Sequence, residues 1–414
     1  MLRNSILRHI VRCCVAAALL LPLDAAHARG GFEVFYTFQN GNDGNWPAAN
    51  PFFDSRGNLY GTTFFGGGSK DAGIAFELAP NGKETILHNF LATRDDGDNP
   101  RGGFVADAAG NLYGTTIEGG SGNSGTVYKL TRKGSETILW NFKAGTDGAG
   151  PYGDLVWDKQ GNLYGTTIGG GQAPNCTNCG TVFKLAPDGT ETVLHAFNNY
   201  PGDGADPIAA PIRDKQGNLY GTTYYGGNKS CGQYGCGTVF KVAPDGSETM
   251  LYAFCAKANC VDGASPAGAL IMDTQGNLYG TTTAGGRETA CGDEGSQGCG
   301  TVFKLTPSGK ETVLFSFNGF AQGAYPYSNL ISDNEGNFYG TTNLGGAYNQ
   351  GTVFKLSAKG KETVLYSFTG GTDGAQPLTG LTKSGGYLYG TATEGGDSAC
   401  YDGHGCGTVF RLKK

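Results

Sequence analysis

The chain has 414 residues, 73 of them glycine, and a formal charge of −6. Glycine at about 18% is far above the usual ~7%, yet it falls in clusters such as Gly66-Gly67-Gly68 between runs of Tyr, Phe, Thr and Val, which excludes a collagen helix. Aromatics at 11% and apolar residues at 38% supply a core and exclude general disorder, and the acid excess gives no basis for a nucleic-acid partner.

The chain opens on a leader. Arg3, Arg8 and Arg12 precede an apolar run of eleven residues, Cys13 to Leu23, and Ala26-His27-Ala28 has the small-x-small form that a signal peptidase cuts. Residues 1–28 are expected to be a signal peptide, cleaved after Ala28. Eleven residues are too few for a membrane span, which needs about 20, and no later segment comes close. An exported protein without a membrane span is therefore expected, periplasmic or extracellular, with a mature charge of −8.

The mature chain begins with one strand, Phe32-Glu33-Val34-Phe35-Tyr36-Thr37-Phe38, and continues into seven copies of a unit aligned on Tyr60, Tyr113, Tyr164, Tyr220, Tyr279, Tyr339 and Tyr389, spaced 53, 51, 56, 59, 60 and 50 residues apart. Each unit runs through a short apolar strand such as Leu155-Val156-Trp157, a turn, Leu-Tyr-Gly-Thr-Thr, a Gly-Gly and a variable loop. Gly-Thr-Val-Phe-Lys-Leu, a second turn and Glu-Thr-Val-Leu-Tyr-Ser-Phe complete it. The β-branched and aromatic content predicts four short strands per unit, and no window carries a helical period. Seven four-stranded units predict an all-β fold, a seven-bladed β-propeller in which residues 29–414 form one domain. The seventh unit stops at Gly407-Thr408-Val409-Phe410-Arg411-Leu412 and lacks its fourth strand. The orphan strand at 32–38 supplies it and closes the ring, an arrangement an open solenoid has no use for.

Details follow from this frame. The mid-strand glycine of Tyr-Gly-Thr-Thr is expected to mark close approach of an aromatic ring from a neighbouring blade. On the fourth strand, Val364, Tyr366 and Phe368 are expected on one face and Thr363, Leu365 and Ser367 on the other. Loops joining strands one to two and three to four keep constant length. Those joining two to three vary, with 16, 15, 19, 20, 24, 15 and 21 residues from the Tyr to the third-strand aromatic, as do those joining blade to blade. Variation confined to one face of the disc is how repeat scaffolds build a binding surface.

Cys13 and Cys14 leave with the leader. The other ten cysteines fall as local pairs in variable-face loops: Cys176 with Cys179, Cys231 with Cys236, Cys255 with Cys260, Cys291 with Cys299, and Cys400 with Cys406. An even count at pairwise spacing in an exported chain predicts five disulfides. The rival reading of Cys176-Thr-Asn-Cys179 as a redox or zinc motif lacks a matching partner.

Of the mature histidines, His88 and His195 occupy a strand position held elsewhere by Trp140, Tyr252, Phe315 and Tyr366, and read as packing residues. His404 lies in a loop between two cysteines. Without a histidine cluster no metal or triad site is expected. Aspartates at 43, 96, 147, 203, 262 and 373, with Gln322 in one unit, precede Gly in each blade-to-blade loop. They read as turn formers, against an acidic ring for Ca²⁺ or a polyhydroxylated ligand. Asp54, Asp107 and their equivalents read as formers of the first turn. No cofactor is expected, Ca²⁺ being the one candidate.

Residues between Thr-Thr and Gly-Gly change from unit to unit. Phe64, Phe65, Glu118, Tyr224, Tyr225 and Glu394, with Trp46, Tyr152, Tyr200 and Tyr327, are the candidate ligand-binding residues, stacking surfaces and acids around a central mouth that suit a carbohydrate or a protein or peptide ligand.

The motif G-N-L-Y-G-T-T-x-x-G-G, followed by G-T-V-F-K-L and E-T-V-L-Y-S-F, resembles the bacterial GloVer tandem repeat of the choice-of-anchor proteins, over residues 32–414. The resemblance implies an exported propeller-type protein with no assigned catalytic residues. Its members carry diverse C-terminal anchors, whereas this sequence ends at Lys413-Lys414 with no hydrophobic tail. The reading favoured is a monomeric binding or scaffold module without catalytic residues. The alternative is a lyase or hydrolase of polysaccharide or peptidoglycan, using carboxylates such as Glu118 or Glu394.

Overall fold

A computed structural model describes residues 31–199, 202–287, 291, 298–398, 400 and 403–414. The proposed signal peptide, with Cys13 and Cys14, lies outside the described residues, as does Tyr200.

Each unit forms one antiparallel blade. In blade 3 the innermost strand is interrupted, Ala149–Pro151 and then Val156–Trp157. It pairs with Leu163–Gly169, which pairs with Thr181–Leu185, which pairs with the outer strand Glu191–Ala196. In blades 5, 6 and 7 the first piece of the inner strand shrinks to single bridges, Ala264 to Ala284, Ala324 to Leu344 and Ala375 to Glu394. Seven such sheets follow in chain order. The last takes its outer strand from the other end of the chain: Phe32–Thr37 pairs antiparallel with Thr408–Lys413, Phe32 opposite Leu412 and Thr37 opposite Thr408. The seven-bladed propeller and its closure by the first mature strand are thus as the repeat predicts.

The core lies within and between blades. Phe76, Phe183, Phe240, Phe303, Phe354 and Phe410 of the third strands are fully buried, as are Phe38, Phe90, Phe142, Phe197, Phe254, Phe317 and Phe368 just beyond the outer strands. These pack edge to face across blade boundaries, Phe142 on Phe183 and Phe254 on Phe303 at 5.2 and 5.1 Å.

Two expectations need correction. The mid-strand glycine does face an aromatic ring, but one from its own blade. A Cβ on Gly61, Gly165 or Gly221 would stand 2.6, 2.6 and 2.5 Å from Cζ of Phe76, Phe183 and Phe240, its directly opposite partners on the third strand. The ring folds back over the bare Cα, so any side chain there would displace it. The simple alternation of the outer strand also fails. A bulge sets Val353 opposite Tyr366 and Phe354 opposite Val364, leaving Leu365 as the extra residue, and the same shift recurs in blades 1 to 5.

The Thr-Thr pair ties the ring together. The first threonine donates to a backbone carbonyl on the inner strand of the next blade, from Thr62 to Gly102 at 3.5 Å through Thr341 to Thr379 at 2.8 Å. The second meets the threonine that opens the third strand, as Thr167 meets Thr181 at 2.9 Å.

Candidate functional site

The mouth is built by the segment that leads into each blade, Asp-Gly-x-X-Pro, with Gln in place of Asp in one unit. The residue before proline, X, is Trp46, Asn99, Gly150, Asp206, Ser265, Tyr325 or Gln376, and all seven hold a positive φ between 51° and 62°. Six are not glycine, an outlier that sterics penalise and the fold must enforce. The enforcing contact is visible. Each X donates its N–H, at 2.7 to 3.0 Å, to the carbonyl of the residue that precedes the Gly-Thr-Val-Phe glycine of the previous blade, from Trp46 to Cys406 through Gln376 to Gln350. The following proline seats on that glycine, and the two contacts together form a latch between successive blades. A Cβ on Gly73, Gly180 or Gly407 would stand 2.8, 2.7 and 2.4 Å from Cδ of Pro100, Pro207 and Pro47.

Four of these carbonyls belong to Cys179, Cys236, Cys299 and Cys406, each disulfide-bonded to its local partner as the spacing predicts. The fifth pair, Cys255–Cys260, closes a blade-to-blade loop. Four disulfides therefore staple the long loops at points where one blade grips the next. The rival metal or redox reading of Cys176 and Cys179 is replaced by a disulfide.

With the backbone fixed this way, the side chain after the proline varies freely: Ala48, Arg101, Tyr152, Ile208, Ala267, Tyr327 and Leu378. The guanidinium carbon of Arg101 lies 4.2 Å from the ring centre of Tyr152 and 5.9 Å from that of Phe64. Burial, with the neighbouring Tyr224 and then Tyr152, pushes the Tyr327 phenol well above the ordinary value, whereas the Tyr325 hydroxyl donates to the Cys291 carbonyl of the adjoining disulfide loop. Burial likewise raises Tyr152, against the pull of Arg101. Blades 3 and 6 are three apart in a ring of seven, so their side chains can meet only over the axis. The cluster of Phe64, Arg101, Tyr152, Tyr224 and Tyr327 therefore sits at the central mouth.

Two residues further along the chain, polar contacts join successive blades. Asn50 Nδ2 donates to Asp154 at 2.9 Å, the Gly103 N–H donates to the same carboxylate at 2.5 Å, and Gly380 N–H donates to Asn50 Oδ1 at 2.7 Å. These contacts tie together groups from blades 7, 1, 2 and 3.

The candidate residues fall into two sets. Phe64, Tyr152, Tyr224 and Tyr327 belong to the axial cluster. Trp46 instead covers Phe64 and stacks on Phe65, ring centres 5.6 and 5.4 Å apart, and Phe64 is itself buried. Tyr225 packs on Tyr234 of the adjoining loop at 5.4 Å. Glu394 accepts from Gln376 Nε2 at 2.6 Å and lies 3.7 Å from His404, also a loop residue. Glu118 is exposed, opposite Asp98 on the paired strand. Successive residues leave a strand on opposite sides, so the first residue after Thr-Thr can face the axis and the second cannot share that face. Arg101 was missed by the sequence reading; it shares the post-proline column with Tyr152 and Tyr327.

The loop aspartates serve their turns. Asp96 accepts from the N–H groups of Leu91 and Gly97 and from His88, and Asp203 from Asn198, Gly204 and His195. In three other blades a tyrosine hydroxyl makes the histidine's contact: Tyr36 to Asp43, Tyr252 to Asp262 and Tyr366 to Asp373, at 2.6 to 2.8 Å. A glutamate of the next blade completes two groups, His88–Asp96–Glu136 and His195–Asp203–Glu248, whose ligand atoms lie within 4.8 Å of one another and could hold a cation. They sit by the outer strands, away from the axis. Asp54 and its equivalents are first-turn formers. Partial burial opposes their ionisation, but N–H groups and the Asn side chain of the turn outweigh it and hold the carboxyls low.

Similarity to solved structures follows the fold. The extracellular domain of a putative one-component system from B. thetaiotaomicron aligns at TM-score 0.56 and 11% identity, over 92% of this chain and 39% of that one. A puromycin-hydrolysing peptidase from Mycobacterium tuberculosis aligns at 0.51 and 10%, over 86% and 53%. The chain thus spans about two fifths to half of those proteins, and at this identity the likeness is one of fold. No curated protein matches the sequence. The Gloeobacter/Verrucomicrobia repeat profile matches residues 24–235 and 177–410. With the repeat, the closed ring and the latch now described, the chain belongs to the Gloeobacter/Verrucomicrobia repeat family.

Proposed function

We propose that the protein is an exported, monomeric binding module that takes a carbohydrate or peptide at the axial mouth of its variable face, without a cofactor. The observation that carries this reading is the gathering of Arg101, Tyr152, Tyr224 and Tyr327, from four blades, toward the axis. The scaffold contacts repeat seven times while these side chains do not, the division expected where a fixed frame presents a variable surface. Tyrosine offers a flat apolar face for a sugar ring or an apolar side chain and a hydroxyl for its polar edge. Five disulfides suit an oxidising compartment, and among the described residues no helix is long and apolar enough to cross a membrane. Screening the mature protein on glycan and peptide arrays, then repeating with Tyr152→Ala and Tyr327→Ala, tests the reading. Loss of the bound ligand by about tenfold or more in both variants is expected; binding unaffected by either would overturn it.

A second reading, a lyase or hydrolase of polysaccharide or peptidoglycan, draws on Asp98 and Glu118. They are opposite each other on paired strands, and burial together with Glu118 pushes Asp98 up to about 6. A carboxyl that keeps its proton near neutrality beside a second carboxylate is the chemistry of an acid/base pair. Release of new chain ends from a polysaccharide, abolished by Asp98→Asn, would favour it.

A further inference from the structure

We infer that the axial mouth selects an anionic glycan, one carrying uronate carboxylates, and that Arg101 is the residue that selects it. The inference rests on the mouth being the binding site proposed above.

Arg101 follows Pro100 of the latch, so its Cα is held by the N–H of Asn99 on the Ala72 carbonyl and by Pro100 against Gly73. Its guanidinium lies over Tyr152 at 4.2 Å and near Phe64 at 5.9 Å. Among the described residues it makes neither an ion pair nor a side-chain hydrogen bond, although it is half-buried. Two other arginines are engaged by carboxylates, Arg411 by Glu33 at 2.7 Å and Arg56 by Asp54 at 3.2 Å; what sets Arg101 apart is the Tyr152 ring under its guanidinium at the mouth. A guanidinium whose face is taken by an aromatic ring keeps its five N–H donors in the plane, where a carboxylate can accept two of them side by side. None of these donors is buried without a partner, so they stand open to solvent at the mouth, free to take an anion.

The surroundings choose a sugar over an acidic peptide. Tyr152, Tyr224 and Tyr327 bring ring faces and hydroxyls together, and the Asn50–Asp154 contact lies two residues beyond the post-proline column. A pyranose bearing a carboxylate has an apolar face, a rim of hydroxyls and one negative group, which match this lining feature by feature. An extended acidic side chain matches only the guanidinium.

The test uses the mature full chain and calorimetric titration with tetragalacturonate, its fully methyl-esterified form, a neutral tetrasaccharide and a poly-glutamate peptide. Tetragalacturonate is expected to bind at least tenfold more tightly than the ester and the neutral sugar. Arg101→Gln is expected to erase that margin, and Arg101→Lys, which keeps the charge without the fork, to restore part of it. Thermal midpoints of both variants should stay at the parent value, separating selectivity from folding. Equal affinity for the acid and its ester, or tight uronate binding untouched by Arg101→Gln, would overturn the inference. Poly-glutamate binding that depends on Arg101 where tetragalacturonate does not bind would overturn it in favour of a peptide. Tyr152-dependent binding of neutral sugars alone removes the anionic inference and leaves the mouth standing. No Tyr152-dependent binding of any probe removes both.

Discussion

Asn50 and Asp154 stand 104 residues apart in sequence and share a hydrogen bond of 2.9 Å that links blade 1 to blade 3 past the blade between them. The same carboxylate accepts the Gly103 N–H, and the Asn50 carbonyl oxygen accepts that of Gly380, so two short side chains join blades 7, 1, 2 and 3. Asp154→Ala strands two donors at once and should cost about 2–3 kcal/mol, with Asp154→Asn milder because one acceptor remains. Denaturant titration of the two variants checks the order; equal stability of Asp154→Ala and the parent would contradict the bridging role.

The second-strand glycine should resist the smallest change. Gly221→Ala brings a methyl to 2.5 Å from the fully buried Phe240 ring, which has no free space to enter. A loss of about 1–3 kcal/mol is expected from such overpacking. Gly145→Ala is the control, since its nearest neighbour would be 3.8 Å away and its φ is not positive. Comparable loss in both would contradict the ring-over-glycine packing.

Stability should fall as pH rises through neutrality. Burial pushes Glu362 up to about 7, and burial with Asp147 nearby does the same to Glu191, against an ordinary 4.5. One carboxylate oxygen of each is buried without a hydrogen-bond partner among the described residues. The folded chain therefore keeps protons that the unfolded chain releases above about 4.5. That stability is full below this pH and is lost as pH climbs through about 7. The opposite trend, from Asp54 and Asp158 with their lowered values, operates only below about 4. Thermal scans should give a higher midpoint near pH 5 than near pH 8, and Glu191→Gln with Glu362→Gln should flatten the slope. A midpoint that rises between pH 5 and 8 would contradict this.

His88 should be replaceable by tyrosine but not by alanine. It fills the place from which Tyr36, Tyr252 and Tyr366 donate to the loop aspartate. His88→Tyr is expected within about 1 kcal/mol of the parent, and His88→Ala to lose about 1–3 kcal/mol by leaving Asp96 short of a donor. A protein that tolerates alanine as well as tyrosine would contradict the assignment.

The fold was legible because the repeat states its own length, count and split end, and the closure of Phe32–Thr37 on Thr408–Lys413 follows from a missing strand. The disulfides were legible because each pair is local. What stayed hidden depends on registers that a two-residue period cannot express. The bulge at Leu365 shifts the outer strand by one residue, and the ring of Phe183 bends over Gly165 of its own blade instead of reaching its neighbour. In the mouth, Tyr152 and Tyr327 were recognisable as variable aromatics. Arg101 was not, because a single arginine near the surface has no pattern; only alignment of the residue after each latch proline sets it in their column. Glu118 and Glu394 looked equivalent to the aromatics beside them until strand alternation turned them aside.

All of this depends on a closed ring, and amide hydrogen exchange tests that most directly. The account predicts that the amides of Phe32–Thr37 exchange as slowly as those of Glu191–Ala196, the outer strand of an internal blade, because Thr408–Lys413 holds them in the same ladder. Exchange of Phe32–Thr37 at the rate of a free chain end, with Glu191–Ala196 protected, would contradict it.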